Sequence, residues 1–367
     1  MPDVSETSSA HIVFCGALPP PVHGMAVVNA AVFEKLRAHV AVKVDFHRPV
    51  FGQKAPALLN KAASVLLGMP GILLGRLPER RVFYSSVDDG LGGLFNIMLV
   101  LAARLRKCHV TLHHHSYRYI DQPTWIMKTL VRVAGPKARH VFLCSCMVTA
   151  FREKYPHPFD AMVCTNPVPA GPEPLAAPTP KDEPPRALTL GFMSNITFEK
   201  GIGLFLELVD ACLERGLDVE AIVAGPAMSE EVSAAIDVAC KRTGGRLRAI
   251  GPVYGADKAR FFDQIDCFVF PTRYKSETYP IVLIEALLAG RPVISYDRGC
   301  IASFTEFDGA HVIPSGARFV DEALPIVADY AQNPVHLGAT KQRARTQGLA
   351  VRRRSDDEIK ALCEALA

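Results

Sequence analysis

The 367-residue chain has no G-x-x-x-x-G-K-[ST] phosphate loop and no G-x-G-x-x-G fingerprint. Both motifs use glycines to let backbone amides approach phosphate, so their absence argues against a P-loop NTPase and a standard dinucleotide dehydrogenase. No D-x-D pair or metal-spaced acidic cluster occurs; Asp88-Asp89 and Asp356-Asp357 come nearest. His113, His114 and His115 are adjacent on a stretch that reads as extended, where successive side chains point to opposite faces. They cannot all ligate one metal, and no metal site or cofactor is expected. The ten cysteines include no C-x-x-C pair, and only Cys144 and Cys146 are close in sequence. They read as reduced, small core residues of a cytoplasmic protein. No uninterrupted apolar run reaches the length of a membrane span. The opening MPDVSETSSA is polar and acidic, unlike a signal peptide.

Nearly half of the residues are apolar, enough for two cores, and the length suits two domains. The charge is asymmetric. Residues 1–170 carry 19 Lys and Arg against 10 Asp and Glu, and the remainder carries 22 against 27. A basic first half favours an anionic partner or surface. The excess is too mild, and too poor in interleaved aromatics, for nucleic acid.

Apolar runs that read as strands alternate with helical periods along both halves. Five or six such repeats before residue 170 predict a doubly wound parallel sheet. In the first half, His11–Gly16 is a strand, and Gly24 stands where it hands over to a helix. A bare backbone there could approach a phosphate. Cys108–Ser116 is the fourth strand, ending in the three histidines. A histidine at a strand's carboxyl end can bond a hydroxyl or move a proton. Ala55–Leu77 is apolar, interrupted by Gly68, Pro70 and Gly71, and predicts two short helices. It reads either as a core or domain-face element or as an interfacial segment on a membrane, with Lys61, Arg76, Arg80 and Arg81 at its flanks. Residues 171–186 are Pro-rich and mark a linker. The expected domains are 1–170, 187–350 and a tail helix in 351–367.

The stretch that organises the second half is Ser276–Gly290. It places Glu277 in a polar loop and Glu285, eight positions on, inside an apolar helix. Pro280 suits the first turn of that helix, whose start would present the Thr278 and Tyr279 amides to an anion. The strands Cys267–Phe270 and Val293–Ser295 flank it. The loop therefore lies at a strand's carboxyl end, where open α/β sheets bind ligands. From about Gly251 to Asp297 this segment resembles the E-x7-E signature of the retaining glycosyltransferases of family 4. The resemblance implies an α/β, GT-B fold, with two Rossmann-like doubly wound domains facing across a cleft. The D-x-D motif that is absent here is usual for metal-dependent glycosyltransferases of the other main fold.

The resemblance also implies roles. Glu285 would bind the ribose of a nucleotide-diphosphate sugar, UDP- or GDP-linked. The Thr278 and Tyr279 amides, with Pro280 and Ile281 in the same turn, would hold the diphosphate beside Lys200, the lysine of Lys200-Gly201. Val253 lies where the family's backbone holds the nucleobase. Glu277 would contact the donor sugar. His115, with His114 second, would bind sugar or help proton movement. Gly24 would close on the phosphates, in a loop where the family usually has a Gly-Gly pair and this chain has His23-Gly24. In the loop of Ser194 and Asn195 the family often has an Arg, and here that position is Ser194; Arg273 or Lys275 are candidates to replace its charge. The expected acceptor is a glycan or a polyprenyl-diphosphate-linked glycan at the cytoplasmic membrane face, in surface polysaccharide synthesis, with peripheral membrane contact through the first half. Two other readings stay open: a non-catalytic nucleotide-sugar-binding scaffold and a nucleotide-sugar epimerase.

Overall fold

The computed structural model describes residues 11–20, 24–52, 55–76, 78, 80–167 and 187–367. The Pro-rich 171–186 segment and His23 lie outside them. The chain divides into two compact units, residues 1–167 with 355–367, and residues 168–354.

The first unit runs β1 (Ile12–Gly16), α1 (Gly24–Leu36), β2 (Val40–Asp45), α2 (Ala57–Leu74), β3 (Val82–Val87), α3 (Gly93–Leu105), β4 (His109–His114), α4 (Arg118–Asp121), α5 (Trp125–Ala134), β5 (Arg139–Phe142), α6 (Ser145–Lys154) and β6 (Asp160–Val163). Its six strands are all parallel, in the order β2-β1-β3-β4-β5-β6. β1 and β3 are buried along their whole length, as expected of strands covered on both faces, and β3 carries Ser85 and Ser86 among its apolar residues.

The Ala55–Leu77 stretch forms one helix rather than two. Pro70 sits inside α2 without ending it. The two glycines serve packing instead: a Cβ on Gly68 would lie 2.5 Å from Val44 Cγ2, and one on Gly71 3.3 Å from Val42 Cγ1. They let the helix lie close on β2, and that tertiary contact outweighs their poor helix propensity.

The second unit runs β7 (Leu188–Met193), α7 (Ile202–Glu214), β8 (Val219–Ala224), α8 (Glu230–Arg242), β9 (Leu247–Gly251), α9 (Ala256–Gln264), β10 (Cys267–Phe270), α10 (Ile281–Leu288), β11 (Val293–Tyr296), β12 (Ala310–Ile313), α11 (Phe319–Gln332) and α12 (Pro334–Leu366). Its strands are also parallel, ordered β12-β11-β10-β7-β8-β9. The order reverses between β7 and β10, which makes the carboxyl ends of those two strands the switch point where open α/β sheets bind ligands. Ser229 caps α8 by accepting from the Val232 amide, with Glu230 and Glu231 in the first turn, as the sequence predicts.

α12 begins in the second unit, and its last turns belong to the first. There Ser355 Oγ donates to the Asn166 carbonyl at 2.9 Å, and Glu358 Oε2 accepts from the Thr165 amide and hydroxyl, both at 2.8 Å. Ile359, Leu362 and Leu366 join the core around Phe14, Val32 and Tyr84. Leu362→Ala should therefore lower the stability of the first unit by about 2–5 kcal/mol, the usual cost of a buried Leu truncation. An earlier urea midpoint for the transition that exposes this core would show it.

Candidate functional site

The loops after β7 and β10 meet at the switch point of the second sheet. Gly201 adopts φ +97°, and a Cβ there would lie 2.3 Å from the Pro271 carbonyl oxygen. Only glycine accepts both the left-handed backbone and that approach. The Arg273 amide donates to the Glu199 carbonyl at 2.8 Å and ties the loops together.

This contact delivers Lys200 onto Glu277. Lys200 Nζ lies 2.6 Å from Glu277 Oε2, and Thr272 Oγ1 donates to the same oxygen at 3.2 Å. The ammonium also stands 4.5 Å from the centre of the Tyr274 ring, a cation–π contact. Glu277 is 8% exposed. Two residues that the sequence assigns to different parts of a ligand thus form one ion pair.

Glu285 lies in α10 and is paired as well. Lys258, in α9, donates to Glu285 Oε1 at 2.6 Å. Burial pushes the Glu285 carboxyl above its ordinary range, and the Lys258 charge offsets this only in part. Sequence reasoning missed Lys258. Its one signal was a lysine in the first turn of the helix that follows the Val253 segment.

The start of α10 differs from the expectation. Pro280 is the capping residue (φ −66°, ψ 118°) and the helix begins at Ile281. Thr278 and Tyr279 therefore precede the helix, and the helical N-terminal amides begin at Ile281. The Thr278 carbonyl accepts from the Cys300 amide at 2.8 Å, and the Tyr279 ring packs edge-on against Phe304. Gly299, at φ +58°, permits this, because a Cβ there would meet the Glu277 carbonyl oxygen at 2.5 Å.

Arg273 stacks over Tyr296 and donates to its hydroxyl at 2.8 Å. That hydroxyl donates onward to the Ala317 carbonyl and accepts from the Phe319 amide. Lys275 is exposed. Arg298, also missed, donates to the carbonyls of Tyr274 and Lys275 and clamps the loop that leads to Glu277. Ser194 directs a buried hydroxyl at no protein partner, while Asn195 is exposed and Val253 half-buried.

In the first unit the histidines separate. His114 is fully buried, its Nδ1 2.9 Å from Tyr119 Oη and its Nε2 2.9 Å from His140 Nδ1, with its ring stacked on Phe142. Burial, then the neighbouring His140, holds its pKa well below the ordinary value, and burial takes His140 down to about 3. The second-choice catalytic histidine is thus a neutral core residue. His113 is likewise buried, 2.7 Å from Tyr84 Oη. His115 follows the end of β4, is only half-buried and packs against His113, with ring centres 4.1 Å apart and planes tilted by 39°. Gly24 is the exposed first residue of α1, where a Cβ would meet nothing within 4 Å, so packing does not require glycine there.

Residues 187–329 match the model of the family described as Glycosyl transferases group 1. No curated protein matches the chain. Among solved structures, Anabaena Alr3699/HepE in complex with UDP aligns over 96% of this chain and 100% of its own, at 15% identity and TM-score 0.67. The sucrose-phosphate synthase of Thermosynechococcus elongatus aligns over 97% and 100%, at 13% identity and TM-score 0.66. The lipopolysaccharide outer core galactosyltransferase WaaB, in its apo form, aligns over 94% and 99%, at 14% and 0.61.

The raised pKa of Glu285 has a sign. A carboxyl whose folded pKa lies above its unfolded one stabilises the fold below the unfolded pKa. That contribution disappears as pH rises through the folded value. At neutral pH the charge is a cost, so Glu285→Gln should melt no lower than wild type at pH 7, with any gain vanishing toward pH 4. A melting-temperature series across that range measures it.

With two parallel six-stranded sheets in these orders, and at these identities, the likeness is one of fold: the chain has the GT-B fold of two Rossmann-like domains, the second carrying the Glycosyl transferases group 1 match.

Proposed function

We propose that the chain is a retaining glycosyltransferase of the E-x7-E type that takes its sugar from a nucleotide diphosphate. The observation that carries the reading is the Lys200–Glu277 pair at the β7/β10 switch point, with Glu285 in the helix that follows. These are the cation and two carboxylates that a diphosphate, a sugar and a ribose need, on loops where such sheets bind ligands. The family match over residues 187–329 supports it. A UDP-linked donor is favoured because Alr3699/HepE has been solved with UDP and with UDP-glucose.

When donor binds, the ribose hydroxyls take the Glu285 carboxylate from Lys258. Lys200 turns to the diphosphate, joined by the amides at the start of α10. Glu277, released from Lys200 but still held by Thr272, accepts from the hydroxyls of the donor sugar. The bond from the sugar's anomeric carbon to the leaving phosphate oxygen breaks as the acceptor oxygen bonds the same face. The acceptor's proton passes to the departing phosphate. The protein's contribution is placement and positive potential at the leaving group. Lys200 and the α10 amides supply that potential, so the reaction is assigned as metal-independent. His115 is the first unit's candidate for sugar contact.

The acceptor is assigned to a glycan or a polyprenyl-diphosphate-linked glycan on the cytoplasmic side of the membrane, in surface polysaccharide assembly. The basic excess of the first half favours an anionic acceptor.

Thermal shift with UDP, GDP, ADP, CMP and their sugar conjugates tests the donor site. UDP at about a hundred times its Kd should stabilise wild type by about 2.7 kcal/mol and leave Glu285→Ala unshifted. Turnover with the matching donor should fall about 100- to 1,000-fold in Glu277→Gln, and NMR of the product should show the donor's anomeric configuration kept. No shift with any nucleotide in a folded sample would overturn the donor-site assignment, whereas a shift without turnover of any donor would favour the binding-scaffold reading. Turnover of the nucleotide sugar to an isomer without acceptor would identify an epimerase.

A further inference from the structure

Two helices of the first unit carry large apolar side chains on their exposed sides. On α2 the side facing the sheet mixes Val65 and Ile72 with polar residues that are bonded into the unit. Asn60 Nδ2 donates to the Gly52 carbonyl at 3.0 Å, and Ser64 Oγ donates to the Asp45 carbonyl at 2.6 Å. Lys61 pairs with Asp88 beneath the helix, its ammonium 4.1 Å from the centre of the Phe46 ring. The outward side is aliphatic: Leu58, Leu59, Leu66 and Leu67 are each 50–60% exposed, and Leu74 is 80% exposed. No charged residue lies on α2 except the inward Lys61.

The neighbouring α3 buries Leu99, Val100, Ala102 and Ala103 and carries a second apolar row outward. Its buried Asn96 bonds the Asp88 amide, Ser85 Oγ and the Ser86 carbonyl. Leu94, Met98, Leu101 and Leu105 face outward and exposed. α2 packs on β2 and α3, and α3 on α5, so the two outward rows adjoin. Single exposed leucines need no explanation, but a contiguous apolar face of this extent marks an interaction surface.

The rim identifies the partner. Segments 75–81 and 104–107, which follow or close α2 and α3, carry Arg76, Arg80, Arg81, Arg104, Arg106 and Lys107 against a single acid, Glu79. They are gathered at one end: Arg106 Nη2 donates to the Gly75 carbonyl at 2.7 Å, and Arg81 Nη1 to the Arg106 carbonyl at 2.8 Å. Protein interfaces are rich in aromatics at their centre and mix charges at their rim. This face is leucine and methionine with a rim of one sign, the composition of a surface that rests on acyl chains among anionic headgroups.

We propose that α2 and α3 together form a face by which the protein sits on an anionic lipid bilayer. Of the described helices, α2 alone is long and apolar enough to cross a membrane. Its inward polar residues, however, are bonded into the unit, so it lies along the bilayer surface rather than through it. Lys61, counted from the sequence among the flanking charges, is committed to Asp88 and takes no part in headgroup contact. The inference stands independently of glycosyl transfer.

Flotation of the full chain with vesicles of phosphatidylcholine alone, or with about one third phosphatidylglycerol, tests it. Wild type should float with the anionic vesicles at low salt, bind about tenfold less in 0.5 M salt, and bind neutral vesicles weakly. Leu66→Gln/Leu67→Gln should cut partition at least tenfold. Arg76→Glu/Lys107→Glu should do the same to the anionic component alone. Both pairs lie at the surface, and unchanged melting and UDP response would show intact folding. Failure of folded wild type to float with anionic vesicles, or equal flotation of all variants, would overturn the proposal. So would concentration-dependent self-association, abolished by Leu66→Gln/Leu67→Gln, in a protein that ignores vesicles; it would assign the face to a second copy.

Discussion

A carboxylate that is 8% exposed cannot remain charged by itself, because taking an ion out of water costs several kcal/mol unless it is paired and hydrogen-bonded. Glu277 meets that condition through Lys200 and Thr272, and much of the second unit's loop structure follows from it. Lys200 arrives only because Gly201 lets the β7 loop press against the Pro271 carbonyl. The Glu277 backbone is held in place because Gly299 leaves room for its carbonyl and because Arg298 grips the two residues before Ser276. Two glycines with positive φ and one arginine are the mechanical means by which a pair of charges is assembled at a sheet's switch point.

The ion pairs also constrain what a ligand must do. Lys200 on Glu277 and Lys258 on Glu285 each satisfy a buried carboxylate while no ligand is present. In the proposed reading, a diphosphate competes for the first ammonium and ribose hydroxyls compete for the second carboxylate. A ligand carrying only one of these groups frees one member of a pair and leaves the other without its partner. A nucleotide diphosphate joined to a sugar exchanges both pairs at once, leaving neither carboxylate uncompensated. This favours the complete donor over its fragments, and it is a selectivity that no single residue holds.

Much of this was legible in the sequence, for physical reasons. Buried parallel strands are nearly continuous apolar runs, so β1, β7 and β10 stood out, and the residues just past their ends included Lys200 and Glu277. The sequence could not show that these two pair, because sequence position carries no information about where a side chain of four methylenes points. Lys258 was missed for the same reason. His114 was misplaced because a histidine at a strand end looks the same whether it faces a ligand or, as here, Tyr119 and His140. The reading of α2 as two helices followed the propensities of Gly68, Pro70 and Gly71. The helix is instead held whole by close packing on Val42 and Val44. Pro280 was set one position too far into α10, an error within the ordinary uncertainty of helix ends.

Both units are six-stranded parallel sheets, but their strand orders differ, and so do the groups at their switch points. At the β1/β3 switch point of the first sheet two buried asparagines bind the strand ends through their side-chain amides. Asn29 Nδ2 donates to the Ala17 carbonyl and to Ser86 Oγ, and Asn96 holds Ser85, Ser86 and the Asp88 amide. Both asparagines are fully buried. Those bonds fasten loops to strands and would have to break to admit a ligand, with a buried polar group left unsatisfied for each one lost. At the β7/β10 switch point the groups are charged, with Glu277 buried and Lys200 and Glu285 half-buried, and they are joined by flexible lysine stems. Such pairs contribute little net stability, because desolvation offsets most of their attraction. They can therefore exchange partners at small cost. In the proposed reading, the pairs able to exchange partners lie at the β7/β10 switch point, and the donor is assigned there.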